Sequence, residues 1–173
     1  DMDGIAQTCN RVGLCTWLLQ FNYRAEGKPF PPRDLTAKIS EYEKALEAAS
    51  KTFPGHQIHL GGHSYGARIA THLAAHLLER AHPLMARIGS VICFSVPVHP
   101  ANKPSQSRWE HAPKLTLPVC LISGERDPLA AEKNLDELLS QLPTPTEQLS
   151  IIPGADHGFR QPKTIKVSHE AFS

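Results

Sequence analysis

The sequence predicts an α/β fold built on a mostly parallel sheet with helices on both faces. Two unbroken apolar runs, 90–96 (S-V-I-C-F-S-V) and 118–123 (P-V-C-L-I-S), read as central strands covered on both sides. Amphipathic helical repeats alternate with such runs along the chain, the pattern of parallel strands joined by right-handed crossovers. The 173 residues fit one domain with a substantial core.

The elements follow in order. Met2, Ile5, Cys9 and Val12 share one helical face, and Gly13 is a helix stop. The run 14–23 is dense in apolar and aromatic residues and reads as a buried strand. Gly27, Pro29, Pro31 and Pro32 make 24–33 a loop, after which Asp34 can cap a helix with Leu35, Ile39, Tyr42, Leu46 and Ala49 on one stripe. Pro54-Gly55 ends that helix, and 57–60 is a short strand. Ile69, Ala70, Leu73, Ala74, Leu77 and Leu78 then recur with a helical period to about Arg80. Beyond the two central strands, Leu135, Leu138, Leu139 and Leu142 mark a helix ended by Pro143, and 148–152 is a last strand. The proline-rich 97–117 lacks a helical period and leaves the carboxyl end of a strand, where ligands bind in such sheets; it is expected to cover a pocket.

Bulk properties exclude several classes. A formal net charge of +1, with scattered Lys and Arg, offers no basic stripe for nucleic acid. No apolar run reaches transmembrane length and no signal-peptide pattern opens the chain, so neither nucleic acid nor membrane is an expected partner. Cys9, Cys15, Cys93 and Cys120 show no C-x-x-C spacing and read as reduced thiols, which places the chain in the cytoplasm.

The chemistry concentrates in three segments. Gly62-His63-Ser64-Tyr65-Gly66 puts a serine where a strand meets a helix, the setting of a G-x-S-x-G nucleophile elbow. The turn is tight enough to call for glycine two residues before and two after the serine. A serine hydroxyl needs a base to take its proton. Gly124-Glu125-Arg126-Asp127-Pro128 follows one strand, and Gly154-Ala155-Asp156-His157-Gly158 follows the last. Ser64 as nucleophile, Asp127 as acid and His157 as base thus fall in the order Ser, Asp, His on loops at one edge of the sheet. The Tyr65 backbone N–H is the expected oxyanion donor.

Rival readings exist. Glu125 and Asp156 are alternative acids, but Glu125 should point outward and Asp156 sits better to shape the turn beside His157. Asp127 could instead cap a helix. His72 and His76 lie four apart, yet H-L-A-A-H lacks the glutamate of zinc proteases, so no metal is expected. His99, His111 and Arg24 are candidate substrate-binding residues, and His63 neighbours the nucleophile as a further one.

On G-G-H-S-Y-G, G-E-R-D-P and G-A-D-H-G the chain resembles the α/β hydrolases. Phe21-Asn22-Tyr23-Arg24, His99-Pro100 and Glu110-His111 are similar to the dienelactone-hydrolase-like branch, in particular a small hydrolase-like group containing a testis-expressed protein and a subunit of the NSL chromatin complex. The resemblance implies a single α/β-hydrolase domain over 1–173, acyl-enzyme chemistry on a small ester, thioester or related carbonyl substrate, and no cofactor. It also implies a strand and a histidine–glycine-rich turn before the first helix, donating the second oxyanion N–H, and a closing helix after the histidine. The chain opens at Asp1 on a helix-like segment, and 161–173 is weakly amphipathic, so it reads as a core fragment with half an oxyanion hole and an unprotected sheet edge. The alternative reading is a hydrolase-like binding or scaffold module. Oligomeric state is not legible.

Overall fold

A computed structural model describes residues 2–143 and 149–162. Its centre is a four-stranded, all-parallel sheet in the order β1-β2-β3-β4: β1 (Ile58–His63), β2 (Ile88–Phe94), β3 (Val119–Gly124) and β4 (Leu149–Ile152). The helices are α1 (Met2–Arg11), α2 (Asn22–Ala25), α3 (Thr36–Thr52), α4 (Tyr65–Glu79) and α5 (Glu132–Leu139). Parallel strands need crossovers, and α4 and α5 supply those from β1 to β2 and from β3 to β4. The link from β2 to β3 has only a short 3-10 turn, Ala112–Lys114.

α4 packs on β1 and β2, and α3 packs on α4. Ala67, Ala70, Leu73, Ala74 and Leu77 of α4 are fully buried in one cluster with Leu60, Val91, Val119 and Leu121. Leu135 and Leu138 of α5 close the same core. Burying side chains of this size stabilises the fold by roughly 1.5–3 kcal/mol each.

Three expectations change. The run 14–23 is not a strand: 14–21 has no regular secondary structure, and α2 begins at Asn22. Leu14, Trp17 and Leu18 are 43 %, 50 % and 48 % exposed, so this apolar run lacks the neighbouring strand that its composition suits. The sheet edge is not bare throughout either. The Tyr42 hydroxyl donates to Gly61 O (2.7 Å) and accepts from Gly61 N–H (2.9 Å), filling one step of the ladder on the outer side of β1. Lastly, the second half of 97–117 is core as well as loop, with Trp109, Leu115 and Leu117 buried.

Asp34 behaves as read, accepting from the Thr36 N–H at the start of α3 (2.9 Å). Residues 163–173, where the chain reads as lacking the family's closing helix, and the first residue of the strand 148–152 lie outside the described residues.

Candidate active site

The carboxyl ends of β1, β3 and β4 position Ser64, Asp127 and His157. β1 ends at His63, and the chain turns through Ser64 with φ 54° and ψ −115° into α4. A non-glycine residue with positive φ costs about 1–3 kcal/mol and persists only where the surroundings enforce it. Here the Ser64 N–H donates to Phe94 O at the end of β2 (2.8 Å), and Ser64 O accepts from Arg68 N–H (3.2 Å). Gly62 makes the turn possible: a Cβ there would lie 2.4 Å from Gly66 C and 2.7 Å from Ala67 N. Gly66 differs from expectation, since a Cβ on it meets nothing within 4 Å beyond its own helix. It sits inside α4 on ordinary helical backbone, so only the first glycine is sterically required.

Asp127 follows β3 and is 3 % exposed. Its Oδ1 accepts from Leu129 N–H (2.9 Å) in a turn that precedes α5, so it caps no helix, while Oδ2 is 2.8 Å from His157 Nδ1. A carboxylate only accepts, so Nδ1 carries the proton and Nε2 is left as an acceptor. Ser64 Oγ lies 2.8 Å from that Nε2 and donates to it. One continuous chain of hydrogen bonds thus runs from a buried carboxylate through the imidazole to the hydroxyl. The His157 side chain is 27 % exposed, so the Ser64 end of the chain stays open to solvent.

His157 originates beyond β4, at the opposite edge of the sheet from β1. Strands about 4.8 Å apart put those edges roughly 14 Å from each other. The turn 153–158 closes that gap by folding back over β3. Gly124 permits it, because a Cβ there would lie 2.4 Å from Ala155 O and 2.6 Å from Asp156 O. Arg126 N–H donates to Ala155 O (2.8 Å), and Glu125 accepts from Gly154 N–H (2.6 Å). Glu125 therefore braces the histidine turn rather than pointing away. Asp156 shapes the turn as read, accepting through Oδ1 from Gly158 N–H and Arg160 N–H (2.8 and 2.9 Å).

The structure brings His63 into this cluster too, with Nε2 2.8 Å from the backbone O of His157. Burial pushes the His63 imidazole below its ordinary value, so near neutral pH it is an uncharged ring whose Nε2–H donates to that carbonyl. Phe159 lies beside it, with ring centroids 5.8 Å apart.

The other candidates are placed differently. Arg24 is exposed on α2, next to Tyr23, which meets Tyr65 edge to face at 6.0 Å. His99 is 5 % exposed, its Nδ1 2.9 Å from Pro100 O. His111 is not open to a ligand: it is 7 % exposed, stacks on His72 at 3.8 Å, and donates through Nε2 to Thr71 Oγ1 (2.9 Å). Thr71 is seven residues along α4 from Ser64, roughly 10 Å at 1.5 Å per residue. His111 is a packing residue because Trp109 and His72 sandwich it, a tertiary contact that the loop sequence does not reveal.

Among the described residues one group has metal-ligand spacing, Glu43, Glu47 and His82. It does not fit a cation. His82 Nδ1 accepts from Leu84 N–H, which leaves the proton on Nε2, and Arg80 already holds Glu43 at 2.6 Å. No described helix is long and apolar enough to cross a membrane.

Residues 1–172 match the family described as "Alpha/beta hydrolase domain". An Agrobacterium tumefaciens protein of unknown function superposes with a TM-score of 0.62 at 22 % identity, covering 90 % of this chain and 66 % of that one. A Coxiella burnetii alpha-beta serine hydrolase homologue gives 0.55 at 18 % identity, with 74 % and 54 % covered. A Xanthomonas campestris protein described as an a/b serine hydrolase without lid gives 0.56 at 19 %, with 75 % and 52 % covered. The chain thus spans between about half and two thirds of the length of these structures. It belongs to the alpha/beta hydrolase family.

Proposed function

We propose that this chain is the core of a serine hydrolase that cleaves an ester, thioester or related carbonyl compound through an acyl-enzyme. The single observation that carries the reading is the Ser64–His157–Asp127 chain of hydrogen bonds, with both contacts at 2.8 Å. In this reading Ser64 Oγ attacks the carbonyl carbon as its proton passes to His157 Nε2. Asp127, dry and already bonded to Nδ1, holds the tautomer and stabilises the imidazolium that forms. The proton then moves to the leaving group, and the ester of Ser64 remains. A water activated by the same nitrogen releases the acid, so the cycle needs no cofactor.

Tyr65 is the first residue of α4, where backbone N–H groups lack an intrahelical acceptor and the helix dipole favours negative charge. Its N–H is the proposed oxyanion donor. Arg24, exposed beside the aromatic group of Tyr23 and Tyr65, is the substrate-side candidate retained, whereas His99 and His111 serve packing. The proposed compartment is the cytoplasm, in keeping with four free cysteines. The segments Phe21-Asn22-Tyr23-Arg24, His99-Pro100 and Glu110-His111 support placing the chain in the dienelactone-hydrolase-like branch, near the group with the testis-expressed and NSL-complex proteins.

The test is turnover of p-nitrophenyl acetate and butyrate by the purified chain and by Ser64→Ala. Loss of the nucleophile is expected to reduce kcat on the order of 10⁴-fold or more. Equal turnover by the alanine variant would overturn the assignment.

A further inference from the structure

The reacting pair comes from opposite edges of the sheet, which raises the question of what fixes the distance between them. Ser64 rides on the end of β1, and His157 sits on a turn that begins at β4. The ties from Glu125 and Arg126 anchor that turn to the end of β3, and those from Asp156 stay within it. None of these fixes His157 relative to the nucleophile strand.

We infer that His63 is a positioning residue of the hydrolytic site, its Nε2–H holding the His157 backbone carbonyl so that the imidazole stays within reach of Ser64. This rests on the catalytic reading above. His63 is the residue next to the nucleophile, and its bond reaches 94 positions along the chain to the base itself (2.8 Å). The two imidazole centroids are 5.4 Å apart and tilted by 50°, so the bond is to the backbone of His157 and leaves its ring free for Asp127 and Ser64. The carbonyl can only accept, and His63 has the donor that it needs. Phe159, with its ring centroid 5.8 Å from that of His63 and itself at φ 60°, packs on the ring from within the same turn. One residue of β1 therefore sets the registry between nucleophile and base, while the ties to β3 set the height of the turn.

The test compares His63→Phe, which keeps a flat ring without the donor, with His63→Gln, whose side-chain N–H can take the place of Nε2–H. A misplacement of about 1 Å costs up to roughly 100-fold in rate, so His63→Phe is expected to lower kcat about 10- to 100-fold with KM nearly unchanged. His63→Gln should recover most of that loss. Hydrogen exchange of peptide 153–160 provides a readout independent of turnover. The Asp156 and Phe159 amides, bonded to Arg160 O and Asp156 O, should exchange faster in His63→Phe and return towards wild type in His63→Gln. Unchanged exchange in His63→Phe, or a glutamine variant as impaired as the phenylalanine one in both measurements, would overturn the inference. A wild-type chain without Ser64-dependent turnover whose exchange still responds would instead overturn the catalytic reading and retain the brace.

Discussion

Two histidine pairs, His63 with His157 and His72 with His111, are built on opposite principles. At the rim, His63 and His157 approach to 5.4 Å, and the ring nitrogens that matter each have a partner: Asp127, Ser64 and a backbone carbonyl. Under the 97–117 loop, His72 and His111 stack at 3.8 Å with Trp109 beyond them. There, His72 Nε2, His111 Nδ1 and Trp109 Nε1 are buried without a partner. Burial pushes the two imidazoles down to about 4 and about 3. Direction of bonding, rather than residue type, separates the His157 imidazole, partnered on both ring nitrogens, from one that behaves as an aromatic spacer.

The comparison can be broken from either side. The largest effect is expected at the rim: Asp127→Asn should keep the fold and cost on the order of 10³–10⁴ in kcat, because the amide no longer holds the Nδ1–H tautomer. Stopped-flow or steady-state ester kinetics read this directly, and an unchanged kcat would place the acid elsewhere.

Next comes the elbow that holds the rim in place. Gly62→Ala should lower the thermal midpoint by about 5–10 °C, from overpacking of roughly 2–3 kcal/mol against Gly66 and Ala67. Gly66→Ala should leave it level or raise it slightly, since alanine favours the helix by about 1 kcal/mol. Thermal melts of the two variants decide this, and equal losses would contradict the steric argument.

The smallest effect belongs to the buried pair and appears as pH dependence of stability. Both folded-state values lie below the unfolded 6.5, so the unfolded chain binds more protons between them. The stability is fully present above about pH 6.5 and is lost as pH falls towards 4 and 3. The charged groups facing this pair are Arg68 from α4 and, from the loop, Glu110 and Lys114; Arg68 and Lys114 oppose a second positive charge and Glu110 favours it. His111→Phe should flatten the urea midpoint against pH in this window while ester turnover at neutral pH stays near wild type. A profile as steep as wild type would remove the pair from the acid response.

Much of this was legible in the chain and some of it could not be. The order Ser64, Asp127, His157 reads directly, because each residue follows an apolar strand and a glycine turn, and those local signals survive into the fold. The strand read at 14–23 shows the limit of that reasoning: apolar, aromatic composition favours a strand, but a ladder needs a neighbour, and 14–21 has none among the described residues. His111 and His63 show a second limit. One is paired with a helix forty residues away and the other with a carbonyl ninety-four away, and no local spacing encodes either contact. Glu125 lay in plain view within G-E-R-D-P, yet its bond to Gly154 needs the fold-back of the histidine turn. The core role of 97–117 did have a signal, in Trp109, Leu115 and Leu117, whose burial the proline content masks.

A fluorophosphonate adduct tests the central claim most directly. The chain should gain one probe mass, mapped by peptide mass spectrometry to the segment carrying Ser64, and Ser64→Ala should gain none. Labelling of the alanine variant at the wild-type level, or an adduct on any other residue, would contradict the account.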